Sequence, residues 1–132
     1  ERHPDIACDL RLEGELEGLG ETITITVYRM VQECLTNIIR HADATRSEIL
    51  VARHGDHPRG DVVRVVVRDN GKGFDQRAER EATHFGLIGM RERVQALDGE
   101  FRIDSIPGEG VTATAVIPVK TPQPGSRETE AA

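Results

Sequence analysis

The sequence predicts an α+β fold, a two-layer α/β sandwich with helices on one face of a mixed, mostly antiparallel sheet. Three observations carry this. Segments rich in β-branched residues are interleaved with segments of helical period rather than gathered at one end of the chain. Two pairs of neighbouring strands are joined by links of hairpin length, His-Gly-Asp-His-Pro-Arg-Gly-Asp and Pro-Gly-Glu-Gly, and such links demand antiparallel pairing. The chain has 132 residues, 37% of them hydrophobic, enough for one core and no more.

Residues 6–12 alternate apolar and polar and predict a first strand. The next segment carries two signals. Thr22-Ile23-Thr24-Ile25-Thr26-Val27 alternates and is β-branched, which argues for a strand. From there Val27, Met30, Val31, Cys34, Leu35, Ile38 and Ile39 form the i, i+3, i+4, i+7 stripe of a helix packed by one face. The longer pattern decides for a helix over 21–41. Strands follow at 47–53 and 62–68. Asp69-Asn70-Gly71-Lys72-Gly73-Phe74 is a glycine-rich break directly after a strand. Residues 76–83 are charged and lack an apolar stripe, which predicts a mobile loop. Helical spacing returns over 86–97 through Leu87, Met90, Val94 and Leu97, and strands at 100–106 and 111–119 close the fold. Residues 120–132, polar and proline-bearing, predict a disordered tail behind a single domain, 1–119.

Charge excludes one class of partner. Seventeen basic against twenty-three acidic residues leave a net charge of −6, which opposes binding along a nucleic-acid backbone but permits a local basic pocket. No apolar run approaches the roughly eighteen residues of a membrane span. Cys8 and Cys34 form no paired motif, so a disulfide or zinc framework is not expected. The chain begins with glutamate and shows no signal-peptide pattern, and is expected to be a piece of a longer protein.

Four blocks hold residues with chemistry to offer. Glu33, Asn37 and His41 stand at i, i+4 and i+8, along one helix edge beside the apolar stripe. An amide oxygen there suits a magnesium ion that keeps most of its waters. A solvated helix edge explains the same spacing and on spacing alone explains it better. In the block opening at Asp69, a carboxylate followed by Gly71 and Gly73 lets backbone approach a flat ligand while the acid accepts from an exocyclic amine. Asn-Gly is equally a plain turn signal. Gly86-Leu87-Ile88-Gly89-Met90-Arg91-Glu92-Arg93 opens a helix, where free N–H groups and arginines favour an anion, although solvated arginines fit nearly as well. Gly108-Glu109-Gly110 is explained fully by a turn between strands. There is no P-loop, and His54 and His57 sit in a polar turn without metal-ligand spacing.

Taken in this order and separation, the four blocks resemble the N, G1, G2 and G3 boxes of histidine-kinase ATP-binding domains, within the wider Bergerat-type ATPases. The wording from Tyr28 to Asn37 and on to His41-Ala42, and that from His84 to Arg93, is similar to the nitrate-sensor-like subfamily. The resemblance spans about 6–119 and also assigns Ile23 to Val27 to helix. It implies binding of ATP with Mg2+ and transfer of the γ-phosphoryl group to a histidine on an upstream dimerisation helix, for relay to a response regulator with a helix-turn-helix output. Asn37 would ligate the metal, and Glu33 would position the γ-phosphate or the incoming histidine. His41 would lie near the phosphates. Asp69 would accept the adenine amino hydrogen in a pocket shaped by Gly71 and Gly73. Gly86, Leu87, Gly89, Met90 and Arg91 would form the hinge and helix start under the triphosphate, and 76–85 the ATP lid. The domain would be cytoplasmic, without direct contact to nucleic acid, any membrane anchor lying upstream.

Two features depart from the pattern. Where many relatives carry Thr or Ser after the last glycine, to help hold the adenine-side water and Asp, this chain has Val111, and alternation turns Thr112 to the opposite face. No histidine here is followed directly by an acid, as the phosphoacceptor of these kinases is; His3 precedes Pro4. The chain should therefore bind ATP without a histidine of its own to modify. An anti-sigma-factor-type serine kinase uses the same fold, and a non-catalytic docking module, favoured by Val111 alone, is the competing class.

Overall fold

A computed structural model describes residues 6–39, 44–71 and 87–119, which form five strands and two helices. In chain order these are β1 (Ala7–Glu13), α1 (Glu21–Asn37), β2 (Arg46–His57), β3 (Gly60–Asp69), α2 (Leu87–Ala96), β4 (Glu100–Ile106) and β5 (Gly110–Pro118). The strands make one sheet in the order β1-β2-β3-β5-β4. β1 runs parallel to β2, with α1 in the crossover between them, and every other pairing is antiparallel. The expected α+β sandwich is the one observed.

The β-branched stretch at the head of α1 is helical. A strand would put Ile23 and Ile25 on one face; the helix instead turns Ile23 toward the core and leaves Ile25 exposed. Thr26, Met30, Cys34 and Ile38 recur every four residues and are all buried, so one continuous packed face outweighs local β-propensity. After Asn37 the chain winds on through Ile38 and Ile39 in a wider, π-type turn. The remainder of the helix expected to 41 lies outside the described residues.

Between the two layers, Met30, Cys34 and Ile38 of α1 and Met90 and Val94 of α2 meet the inward rows of the sheet. Those rows hold Ile49 and Val51 of β2, Val63, Val65 and Val67 of β3, Ala113, Ala115 and Ile117 of β5, and Phe101 of β4. Leu10 and Leu12 of β1 share the rows of Ile49 and Val51, yet remain 60% and 61% exposed, because neither helix covers this edge strand. Arg53 holds the loop after β1: its guanidinium forks onto Asp61, 2.8 Å at the shortest, and donates to the Glu15 carbonyl at 3.0 Å. That ion pair keeps the Asp61 carboxyl below its ordinary range.

Several boundaries differ from expectation. β2 and β3 run to His57 and from Gly60, four residues beyond and two before the expected ends, because the hairpin ladder continues across an irregularity between His54 and His57. The turn is thereby reduced to Pro58 and Arg59, with Gly60 taking φ +90°. β1 sits one residue later than expected, β5 begins one residue earlier, and α2 ends one residue earlier, at Ala96. The expected loop at 76–83, the lid at 76–85 and the tail at 120–132 lie outside the described residues.

Candidate functional site

Asp69 ends β3 on the face turned toward the helices, and it is the buried acid of the described fold. Sheet register surrounds it. Ser47 of β2 pairs with Asp69, and the pairing of Arg68 with Thr112 puts Val111 of β5 on its other side. Ser47, Asp69 and Val111 therefore form one row across the sheet, at the end of the core. Thr112 shares the opposite face with Arg68 and Asp104, as alternation requires.

Two backbone donors hold the carboxylate. The Gly71 N–H donates to Oδ1 at 2.8 Å, an Asx turn made by the Asp69-Asn70-Gly71 sequence itself, and the Val111 N–H donates as well. Burial pushes the carboxyl pKa above its ordinary value, and these two bonds work against the rise. What results is an oriented, mostly desolvated acceptor, with lone pairs that no donor among the described residues takes.

The close approach of β5 depends on Gly110. Its φ is +108°, and a Cβ on it would stand 2.0 Å from the Asp69 carbonyl oxygen. Only glycine can begin β5 here, and that beginning brings the Val111 N–H to Asp69. Asn70 locks the neighbouring strand in turn. Its Oδ1 accepts from the N–H groups of Thr45, 3.0 Å, and Arg46, 2.9 Å, while Nδ2 donates to Thr45 Oγ1 at 3.0 Å. Among the described residues, the element that follows the Asp69 block is α2.

The last turns of α1 lie across this end of the sheet. The Cys34 thiol is pushed up to about 12, first by burial and then by the charges of Glu33 and Asp69, which places all three within electrostatic reach. Glu33 and Asn37 are half-buried, one turn apart on the same helix edge. Glu33, Asn37, Asp69 and Gly71 are accordingly brought to one end of the sandwich.

Met90 of the second helix, expected at the site, is a core side chain at 1% exposure. The exposed Arg91, expected on phosphate, carries its guanidinium 5.8 Å over the Phe101 ring. Gly89 is half-buried, and a Cβ there would meet nothing among the described residues. Leu87 opens the helix. His41, Gly73 and Gly86 lie outside the described residues.

Three residues around Asp69 carry little local signal of their place. Gly110 reads as part of a turn, and its constraint is the neighbouring strand. Asn70 reads as a turn residue beside Asp69, although an Asn after a strand end is a known side-chain-to-backbone partner. Ser47 reads as the start of a strand, and its one signal is a lone hydroxyl in phase with Ile49 and Val51.

The family described as histidine kinase-, DNA gyrase B- and HSP90-like ATPases matches residues 22–121, and the chain belongs to it. Within that family it is an ATP-binding domain of the histidine-kinase type. The chain is 37% identical over 121 residues to the signal transduction histidine-protein kinase/phosphatase DegS of Brevibacillus brevis, covering 92% of this chain and 30% of that protein. It is 35% identical over 94 residues to the sensor histidine kinase YdfH of Bacillus subtilis, covering 70% of this chain and 22% of that one. The chain thus spans about a third or less of the curated relatives' length. The fold is similar to the histidine kinase domain of the blue-light activated histidine kinase EL346 of Erythrobacter litoralis, with a TM-score of 0.64 at 23% identity, over 86% of this chain and 55% of that one. No helix among the described residues is long and apolar enough to cross a membrane.

Proposed function

We propose that this domain binds ATP with Mg2+ and, in its full-length protein, delivers the γ-phosphoryl group to a histidine on an upstream dimerisation helix, for relay to a response regulator. The observation that carries the reading is the buried Asp69 carboxylate, oriented by two backbone N–H groups and left with free lone pairs. An exocyclic amine is the ligand group that such an acceptor suits, and adenine presents one. Relatives named histidine kinases support the choice of acceptor.

The protein would contribute few ligands to the metal. Among the described residues no cluster of His, Cys, Asp or Glu can hold a cation alone. A magnesium ion would therefore take phosphate oxygens and waters, with the Asn37 amide oxygen as the protein's contribution. When bound it would neutralise charge on the phosphates. Glu33, on the same helix edge, positions the γ-phosphate or the incoming imidazole; His41, Gly73, Gly86, Leu87 and Gly89 complete the nucleotide side. Positioning and charge neutralisation make up most of such catalysis.

Calorimetric titration with ADP and with a non-hydrolysable ATP analogue, with and without magnesium, tests the site. Binding should depend on magnesium in the parent and lose that dependence in Asn37→Ala. An Asn37→Ala variant that binds Mg-ADP as the parent does would end the metal assignment. Supplying the family's histidine helix in trans should yield an acid-labile phosphohistidine, whereas phosphoserine on a separate acceptor would favour the anti-sigma-factor-type reading.

A further inference from the structure

Ser47 has no part in the fold that its burial explains. It is 1% exposed, and its hydroxyl is the one buried side-chain polar atom without a hydrogen-bond partner among the described residues. Every other inward position of β2 beside it, Ile49 and Val51, is apolar and packed in the core. A serine in that row forfeits packing and leaves a donor and an acceptor unmade, a cost that folding alone does not offset. Its place in the row is specific. It stands directly across from Asp69, where cross-strand Cβ atoms are about 5 Å apart, yet the two side chains do not bond. On the other flank Val111 gives Asp69 a backbone N–H but has no side-chain hydrogen bond to offer. Ser47 therefore carries the single hydroxyl of the Ser47–Asp69–Val111 row.

From this we infer that Ser47 is a second base-reading residue. The inference rests on the reading of the site as an adenine-nucleotide pocket. Adenine presents a donor, the 6-amino group, next to an acceptor, ring nitrogen N1. Asp69 is acceptor-only when ionised and can serve only the amino group. N1 needs a donor beside it, and the Ser47 O–H supplies one, directly or through one trapped water that the Asp69 carboxylate also holds. The pair reads the base as a donor–acceptor couple, and Ser47 gains in the complex the hydrogen bond it lacks in the free protein.

The test is a cycle between protein and ligand. ADP and 1-deaza-ADP, in which N1 is replaced by C–H, are titrated by calorimetry into the parent, Ser47→Ala and Ser47→Cys, with Asp69→Asn alongside. Cysteine keeps the shape and is a poor donor. Both Ser47 variants should bind Mg-ADP about three- to tenfold more weakly, the scale of one neutral hydrogen bond. Their affinity for 1-deaza-ADP should stay within twofold of the parent's, so the parent's preference for ADP collapses. The nucleotide-free Ser47→Ala protein should melt no lower than the parent, because it sheds an unpaired buried hydroxyl. Equal losses on both nucleotides would show a packing role and overturn the assignment, as would no loss on either. If Asp69→Asn weakens ADP while Ser47→Ala does not, Ser47 alone is refuted. If the parent binds neither nucleotide, the adenine reading falls and Ser47 with it.

Discussion

Replacing Asp69 by Asn keeps the outline of the side chain and alters only its charge and one of its two acceptor atoms. In the parent, the Gly71 and Val111 N–H groups occupy part of the carboxylate and leave lone pairs for a ligand donor. Asparagine has one oxygen. Turned to the backbone donors, that oxygen leaves an NH2 facing the adenine amino group; turned to the ligand, it leaves the NH2 facing backbone N–H. One donor goes unmatched in either orientation, at a cost of about 1–3 kcal/mol. If the unmatched donor is the nucleotide's, Mg-ADP should bind about 5- to 150-fold more weakly. Fold stability should not follow. Burial raises the Asp69 pKa, so the folded state holds its proton more tightly than the unfolded state does. The associated stability is complete below the ordinary carboxylate pKa and is lost as pH rises through the raised value. At neutral pH the ionised group costs the fold something, and neutral asparagine removes that cost. Titration calorimetry and urea unfolding at one pH separate the two effects. Affinity within twofold of the parent's would refute base reading by Asp69, and a fall in urea midpoint that accounts for the lost affinity would refute the separation of binding from folding. Parental affinity should also weaken on acidification, beginning above the pH at which an ordinary aspartate protonates, and Asp69→Asn should lack this dependence.

Gly110→Ala should destabilise by more than about 2 kcal/mol, since it adds backbone strain at φ +108° to a Cβ placed 2.0 Å from the Asp69 carbonyl oxygen. Gly108→Ala, at φ +83° with open space around it, should cost about 1 kcal/mol, and equal urea midpoints for the two would show that the Asp69 contact imposes nothing. Thiol reactivity should separate the cysteines: exposed Cys8 reacts with a disulfide reagent at the rate of a free thiol, while buried Cys34, pushed up to about 12, reacts only as the fold opens. Fast modification of both at neutral pH would contradict the burial of Cys34 on the packed face of α1.

The fold was legible where its cause is periodic. The stripe from Val27 to Ile39 spans several turns, and a packed face of that length overrode the β-branched run at 22–27, as its burial shows. Hairpin links were legible because their length admits one pairing. What sequence could not supply was anything that depends on which strands become neighbours. Nothing near Gly110 says that Asp69 lies against it, since 69 and 110 meet only after β5 inserts between β3 and β4. Ser47 reads as an ordinary strand residue until the register sets it opposite Asp69. The contact of the Arg91 guanidinium with the Phe101 ring is likewise hidden in the sequence, because the ring arrives from a strand ten residues on. Local chemistry was thus sufficient to find Asp69, whose Asx turn is made within three consecutive residues. The groups that stand beside it in the sheet come from β2 and β5, and a row assembled across strands is visible only once their order is known.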